Sequence, residues 1–195
     1  MRCAMNNLQM IYPHPVWSTQ VGEFAKTQKQ ILDLCETLEW SQPGFWKDEV
    51  QSTIQHTKNV LEFLPDLKSL LDDEMTKFAS ELKTQSKPIL VESWINKFPP
   101  GGYMGVHKHL PCNLSGVIFV TAGKGGEFYF ENPYNDYDTC LQKGLYTQRQ
   151  FYNEADIVIS PQEGEIIMFR SGLPHGVKTN TDDKTRISLS FNYNV

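Results

Sequence analysis

Apolar residues recur with two different periods along the chain, and the change falls near Lys87-Pro88. Before it, Leu64, Leu67, Leu71, Met75, Phe78 and Leu82 return at intervals of three and four, which gathers side chains on one face of a helix. Pro65 stands where a first-turn proline is tolerated. Phe24, Ile31, Cys35 and Leu38 form a similar stripe and predict a second helix from about Val21 to Trp40, while Met10 to Val16 reads as a short strand broken by Pro13 and Pro15. After Pro88 the rhythm changes: short apolar runs are separated by Gly, Pro, Asn and Asp, and eleven of the thirteen glycines lie there. That pattern predicts strands near 89–98, 104–109, 113–121, 126–130, 156–160, 164–169, 173–178 and 185–194. Eight strands after two helices imply a mainly β protein of the α+β class, a jelly roll with the helices on one face of a sheet.

The last predicted strand alternates most clearly. Arg186, Ser188, Ser190, Asn192 and Asn194 share one face, and Ile187, Leu189, Phe191, Tyr193 and Val195 the other. Such a strand commonly turns its polar side to water. The second reading is that the polar face lines a ligand cavity. Between Glu131 and Asn153 a stretch rich in Tyr, Asn, Asp and Gln shows no period, and insertions of that length often serve as lids or binding loops.

Composition narrows the function classes. At 195 residues the chain is read as one domain, 1–195, in which 1–87 supports a jelly-roll core at 88–195. With 39% hydrophobic and 21% charged residues it has an ordinary globular make-up, and no apolar run matches a bilayer's thickness. Met1-Arg2-Cys3-Ala4 leads directly into Asn6-Asn7, unlike a secretory signal, so a cytoplasmic protein is expected. Cysteines 3, 35, 112 and 140 are too scattered for a zinc knuckle or a disulfide framework. A net charge of -5 offers no overall attraction for a phosphate backbone, and Lys97, Lys108, Lys124 and Lys143 read as a scattered, solvated set. Neither a membrane nor a nucleic acid is the expected partner.

The candidate chemistry lies in the histidines. Of five, His14 and His56 are isolated, whereas His107 and His109 form a His-x-His pair whose imidazoles would share one face of a strand. His175 could complete a metal site from a neighbouring strand, and three such ligands with open positions suit non-haem Fe(II). If 179–184 closed an antiparallel hairpin, His175 would face Ser188, and Arg186 would lie diagonally about 7–8 Å away. A guanidinium there could grip the far carboxylate of a short dicarboxylic acid whose near end chelates the metal.

Several segments carry a resemblance: Phe98-Pro99-Pro100-Gly101-Gly102-Tyr103 leading to His107-Lys108-His109, Leu114-Ser115-Gly116-Val117, Gly164 to Phe169, Pro174-His175-Gly176-Val177, and Arg186 to Asn192. Together they resemble a small 2-oxoglutarate/Fe(II)-dependent oxygenase. More narrowly, they are similar to a compact prolyl-hydroxylase-like subfamily of bacteria and their phages, whose start the Tyr12-Pro13-His14-Pro15-Val16-Trp17 opening also resembles. The resemblance implies a double-stranded β-helix holding Fe(II), with 2-oxoglutarate and dioxygen as co-substrates and a second, unidentified substrate that is hydroxylated, a prolyl or other protein side chain being one class. His107 matches the first metal histidine, His175 the distal one, Arg186 the arginine facing the cosubstrate's far carboxylate, and Ser188 its hydrogen-bonding partner. Asn96 and Ser115 are further candidate cosubstrate contacts. His109 departs from the wider family, which usually has Asp or Glu there. Either three neutral imidazoles hold the metal, or a carboxylate such as Glu127 or Glu131 replaces His109.

Two other readings fit parts of the pattern. Gly101 followed by His107-x-His109, and Gly164 followed by Gly172 and His175, resemble a cupin's spacing, although Asn113-Leu114 stand where its glutamate is expected and Arg170 near its proline. A cupin has no general need of Arg186 and Ser188. A non-catalytic jelly-roll module could instead recognise a sugar or peptide through Tyr134, Tyr137 and Tyr146.

Overall fold

The computed structural model describes residues 14–43, 50–133 and 155–195. Among these residues ten strands form two antiparallel sheets. The larger has the order β1 (Val16–Gln20), β8 (Glu165–Arg170), β5 (Leu114–Thr121), β10 (Arg186–Asn194), β3 (Ile89–Phe98), β2 (Gln51–Ser52). The smaller runs β4 (Met104–His107), β9 (His175–Val177), β6 (Phe128–Glu131), β7 (Asp156–Ile159). All eight strands expected after Pro88 are present, and the architecture is the expected jelly roll.

Within the larger sheet β5 and β8 are buried on both sides, which explains their near-continuous apolar runs. Outward, Leu114, Ile118 and Val120 of β5, Ile166 and Met168 of β8, and Ile187, Leu189, Phe191 and Tyr193 of β10 join one cluster. That cluster includes Ile31 and Cys35 of α1 (Phe24–Cys35) and Leu67, Leu71, Met75 and Phe78 of α2 (Pro65–Glu81). Inward, Val117, Phe119, Ile167 and Phe169 meet Phe128, Phe130 and Val177 of the smaller sheet. Polar ties also cross the outer layer: Tyr193 Oη donates to Asp72 Oδ1 at 2.6 Å, while Lys68 Nζ holds Asp72 Oδ2 at 2.6 Å, and the Trp17 indole N–H donates to Glu74 Oε2 at 3.0 Å.

Local sequence accounts for several differences from the expected elements. The first helix is shorter than its apolar stripe, because the Trp40 indole N–H donates to Cys35 O (3.1 Å) and Thr37 N–H to Leu34 O (3.0 Å), closing its end. The first strand is Val16–Gln20 rather than one ending at Val16, paired with β8, while residues 10–13 lie outside the described ones. The two-residue β2 carries no period to detect. Strand β4 stops at His107. The expected 175–188 hairpin is absent: β9 and β10 belong to different sheets, and β10 takes β3 and β5 as neighbours. The crossing between them is fixed by Asn180, whose Nδ2 donates to Phe98 O (2.9 Å) and Lys184 O (2.8 Å). Residues 134–153 of the candidate lid, with Tyr134, Tyr137 and Tyr146, fall outside the described residues, as do Cys3 and Cys140. Cys35 and Cys112 are free and buried. No helix among the described residues is long and apolar enough to cross a membrane.

Burial, reinforced by the Asp72 carboxylate, raises the Tyr193 phenol well above its ordinary value of 10. A group held neutral in the folded state gives its full stability below the unfolded pKa and loses it as pH rises toward the folded one. Tyr193→Phe is therefore expected to cost about 1–2 kcal/mol at neutral pH through the lost charge-assisted bond. It should also flatten the fall in stability above pH 10, as measured by urea denaturation across the alkaline range.

Candidate metal centre

Two adjacent strands and one turn assemble the histidines. His107 ends β4 and stands directly opposite His175, the first residue of β9. His109 lies past the end of the strand, where its N–H donates to Ser171 O (3.0 Å) and its carbonyl accepts from Cys112 N–H (3.0 Å). The turn, rather than strand alternation, brings its ring to the others. Potential ligand nitrogens of all three lie within 4.8 Å of one another.

Backbone carbonyls fix the tautomers. His107 Nδ1–H donates to Gly105 O at 2.9 Å, and His175 Nδ1–H to Leu173 O at 2.8 Å. A carbonyl oxygen only accepts, so both Nδ1 atoms carry hydrogen and both Nε2 atoms keep their lone pairs. His109 Nε2–H then donates to His175 Nε2 at 3.0 Å. A cation taking the place of that proton would meet three imidazole nitrogens. Burial pushes His175 down to about 2 and His109 to about 3, with neighbouring imidazoles adding to the effect, and burial also lowers His107. All three are neutral at pH 7, the form that binds metal. Neither Glu127 nor Glu131 belongs to the cluster.

A cavity of about 400 Å³ adjoins this cluster. Its wall holds all three histidines, Arg186, Ser188 and Asn96, and among the described residues no Asp or Glu lines it. Although the hairpin is absent, Arg186 and His175 still share the cavity, because the two sheets face each other across it. The polar side of β10 is thus turned inward: Arg186, Ser188 and Asn192 are 2%, 3% and 1% exposed. Along the β10–β3 ladder Arg186 pairs with Phe98, Ser188 with Asn96 and Ser190 with Trp94.

Arg186 is the strongest sign of a missing ligand. Its Nε, Nη1 and Nη2 have no hydrogen-bond partner, and its Cζ lies 5.2 Å from the ring centres of both Phe98 and Phe119. Burial lowers its pKa to about 10, and Glu127 opposes that shift, so it remains a cation at pH 7. Leaving such a charge unpaired costs several kcal/mol, more than the roughly 1.5–3 kcal/mol gained by burying one large apolar side chain. A ligand carboxylate would relieve it with two parallel hydrogen bonds. Asn96 Oδ1 and the Trp94 indole N–H are also buried without partners. The donor set therefore fits a metal ion at the histidines and a carboxylate at Arg186.

Ser115 is placed differently from its sequence reading. It does not line the cavity: its hydroxyl donates to Asn192 Oδ1 at 2.7 Å and lies 2.7 Å from Ser171 Oγ. It faces inward on β5 but beyond the cavity's end. His56 is held away from the cluster, beside Glu39 at 3.3 Å. Sequence reading passed over Gly126, whose φ of +63° suits glycine and where a Cβ would fall 2.7 Å from Arg186 Cδ. The Gly125-Gly126 pair was the available signal.

A family model described as "Putative 2OG-Fe(II) oxygenase" matches residues 92–192. Among solved structures, the chain is similar to a 2OG-Fe(II) oxygenase family oxidoreductase from Burkholderia pseudomallei, at 17% identity and TM-score 0.62, covering 91% of this chain and 84% of that one. A prolyl-4-hydroxylase from Pseudomonas putida is similar at 15% identity and TM-score 0.62, with 93% and 94% covered. HygX from Streptomyces hygroscopicus, solved with nickel, 2-oxoglutarate and hygromycin B, is similar at 10% identity and TM-score 0.63, with 92% and 82% covered. At these identities the solved structures speak for the fold. No curated protein sequence matches the chain.

His175→Ala removes the buried ring that both other histidines touch. Iron retained after anaerobic loading and desalting is expected to fall from near one per chain to near zero, measured by elemental analysis; unchanged stoichiometry would exclude His175 as a ligand.

Proposed function

The chain belongs to the 2OG-Fe(II) oxygenase family, and on that premise we propose that it hydroxylates an organic substrate while 2-oxoglutarate and dioxygen are converted to succinate and carbon dioxide. The carrying observation is the unpartnered Arg186 guanidinium in the same cavity as the three-histidine cluster. Bound iron and 2-oxoglutarate supply the oxygen-activating chemistry; the chain supplies binding, orientation and exclusion of water.

In this reading His107, His109 and His175 hold Fe(II) through neutral nitrogens. Among the described residues no Asp or Glu lines the cavity to offset the ion's charge, so a carboxylate of 2-oxoglutarate would provide the balance. Arg186 takes the far carboxylate, fixed between the Phe98 and Phe119 rings so that little side-chain entropy is lost on binding. Ser188, beside it on the same strand face, donates its hydroxyl to that carboxylate, and Asn96, its cross-strand partner, contacts the body of the diacid. Phe128 and Phe169 keep the wall behind His175 dry, with ring centres 5.5 and 4.6 Å from it. This dependence on a dicarboxylate separates the proposal from a cupin without 2-oxoglutarate and from a binding module. The proposed substrate is a prolyl or other protein side chain, supported by the similarity to the Pseudomonas putida prolyl-4-hydroxylase.

Calorimetry on manganese-loaded protein tests the roles. Arg186→Ala should weaken 2-oxoglutarate binding by a hundredfold or more, the cost of about 3 kcal/mol expected when one partner of a buried charge pair is truncated. Manganese affinity should stay within about twofold. Equal loss of both would assign Arg186 to the fold instead. Oxygen admitted to the anaerobic iron complex should release succinate, measured by NMR, and its absence with every peptide and small-molecule substrate tried would count against the oxygenase.

A further inference from the structure

Since β4 ends at His107, something other than strand geometry must hold His109 in place. Its backbone N–H is bonded to Ser171 O, in the turn between β8 and β9. Ser171 is itself fully buried and held at two further points. Its N–H donates to Asn113 O at 3.0 Å, and its hydroxyl lies 2.7 Å from Ser115 Oγ. The direction of that second bond follows from its neighbours. Ser115 donates its only hydroxyl hydrogen to Asn192 Oδ1, so Ser171 must donate to Ser115. Asn192 Nδ2 in turn donates to Glu92 Oε1 at 2.7 Å. Four side chains from β3, β5, β10 and the β8–β9 turn thus form a one-way chain, Ser171 to Ser115 to Asn192 to Glu92, ending on a carboxylate.

Ser171, Ser115 and Asn192 are each no more than 1% exposed. Partial satisfaction of a buried chain like this is costly, so it fixes its members' positions more tightly than apolar contacts would. The same turn also reaches a second ligand: Leu173 O accepts from His175 Nδ1–H.

We propose that Ser171 is a positioning residue for the metal centre, held by the Ser115–Asn192–Glu92 chain so that its carbonyl sets the place of His109. The inference rests on His109 being a ligand. Outer groups that orient ligands typically change metal affinity by about 10–100-fold when lost. The chain also gives a role to Ser115 that its position outside the cavity otherwise leaves unexplained.

Cobalt(II) titration of the metal-free protein, followed by visible absorption, tests the proposal without turnover. Ser171→Ala is expected to raise the cobalt dissociation constant about tenfold and to shift the ligand-field bands. Glu92→Gln, which keeps an acceptor and removes the charge, should give a smaller change in the same direction. Ser93→Ala serves as the control: its equally buried hydroxyl bonds Leu61 N–H and Asn59 on the helix-facing side. It should lower urea stability with cobalt affinity unchanged. His109→Ala separates the two levels of the argument. If His109→Ala weakens cobalt binding and Ser171→Ala does not, the positioning role is wrong while the three-histidine centre stands. If His109→Ala leaves affinity unchanged, the centre itself is wrong. Equal weakening by Ser93→Ala would reduce the effect to general loosening and overturn the proposal. Should Ser171→Ala fail to fold, Glu92→Gln decides: an unchanged dissociation constant and spectrum would overturn it.

Discussion

A strand buried on both faces has to meet two environments with alternate residues, and β10 does so at the centre of the larger sheet. Its apolar residues lock the sheet to the helices. Arg186, Ser188 and Asn192 on its polar side are buried, so each needs a partner inside the protein or in a ligand. Asn192 finds Ser115 and Glu92, whereas the Arg186 guanidinium finds none among the described residues. The same alternation that completes the core therefore leaves a cation unpaired, and the cavity beside it takes its chemistry from that residue. The smaller sheet contributes His107 and His175 of the histidine cluster, and β9 carries His175 against Phe128 and Phe169.

Much of this was legible in the sequence because burial writes a period into it. The 3.6-residue stripe of α2 and the two-residue alternation of β10 survive in the structure almost unchanged. The three histidines and Arg186 stood out as chemistry-bearing residues in that framework. What the sequence could not supply was pairing. Alternation identifies faces but not neighbours, so the 175–188 hairpin was a natural inference from a short loop, and it is wrong. Arg186 and His175 meet across two sheets rather than along one ladder. The His107/His109 pair shows the same limit: the shared direction of the rings comes from a turn held by Ser171, a residue between Arg170 and Gly172 with no sequence signal of its own.

Ser115 and Asn192 illustrate a further reason for the gap. Both sit on inward faces with the right polarity for a ligand site, and nothing in their local sequence separates them from Ser188. The difference is position along the strand. Ser188 faces the cavity, whereas Asn192 lies four residues further on, about 13 Å at 3.3 Å per residue, where the space is filled by side chains that bond one another. Distance along a strand converts equivalent polar residues into two kinds: those with a partner in the fold and those available to a ligand.

The central place of β10 also bears on the order in which the molecule can be assembled. It follows in sequence both strands it separates, β3 and β5, so on a ribosome these elements emerge with an open slot between them. The histidine-bearing segments are made earlier, while the arginine arrives with the strand that closes the slot. The proposed recognition of a dicarboxylate by Arg186 would therefore wait on the pairing of β10 with β3 and β5, and a chain lacking that strand would carry its imidazoles without the guanidinium.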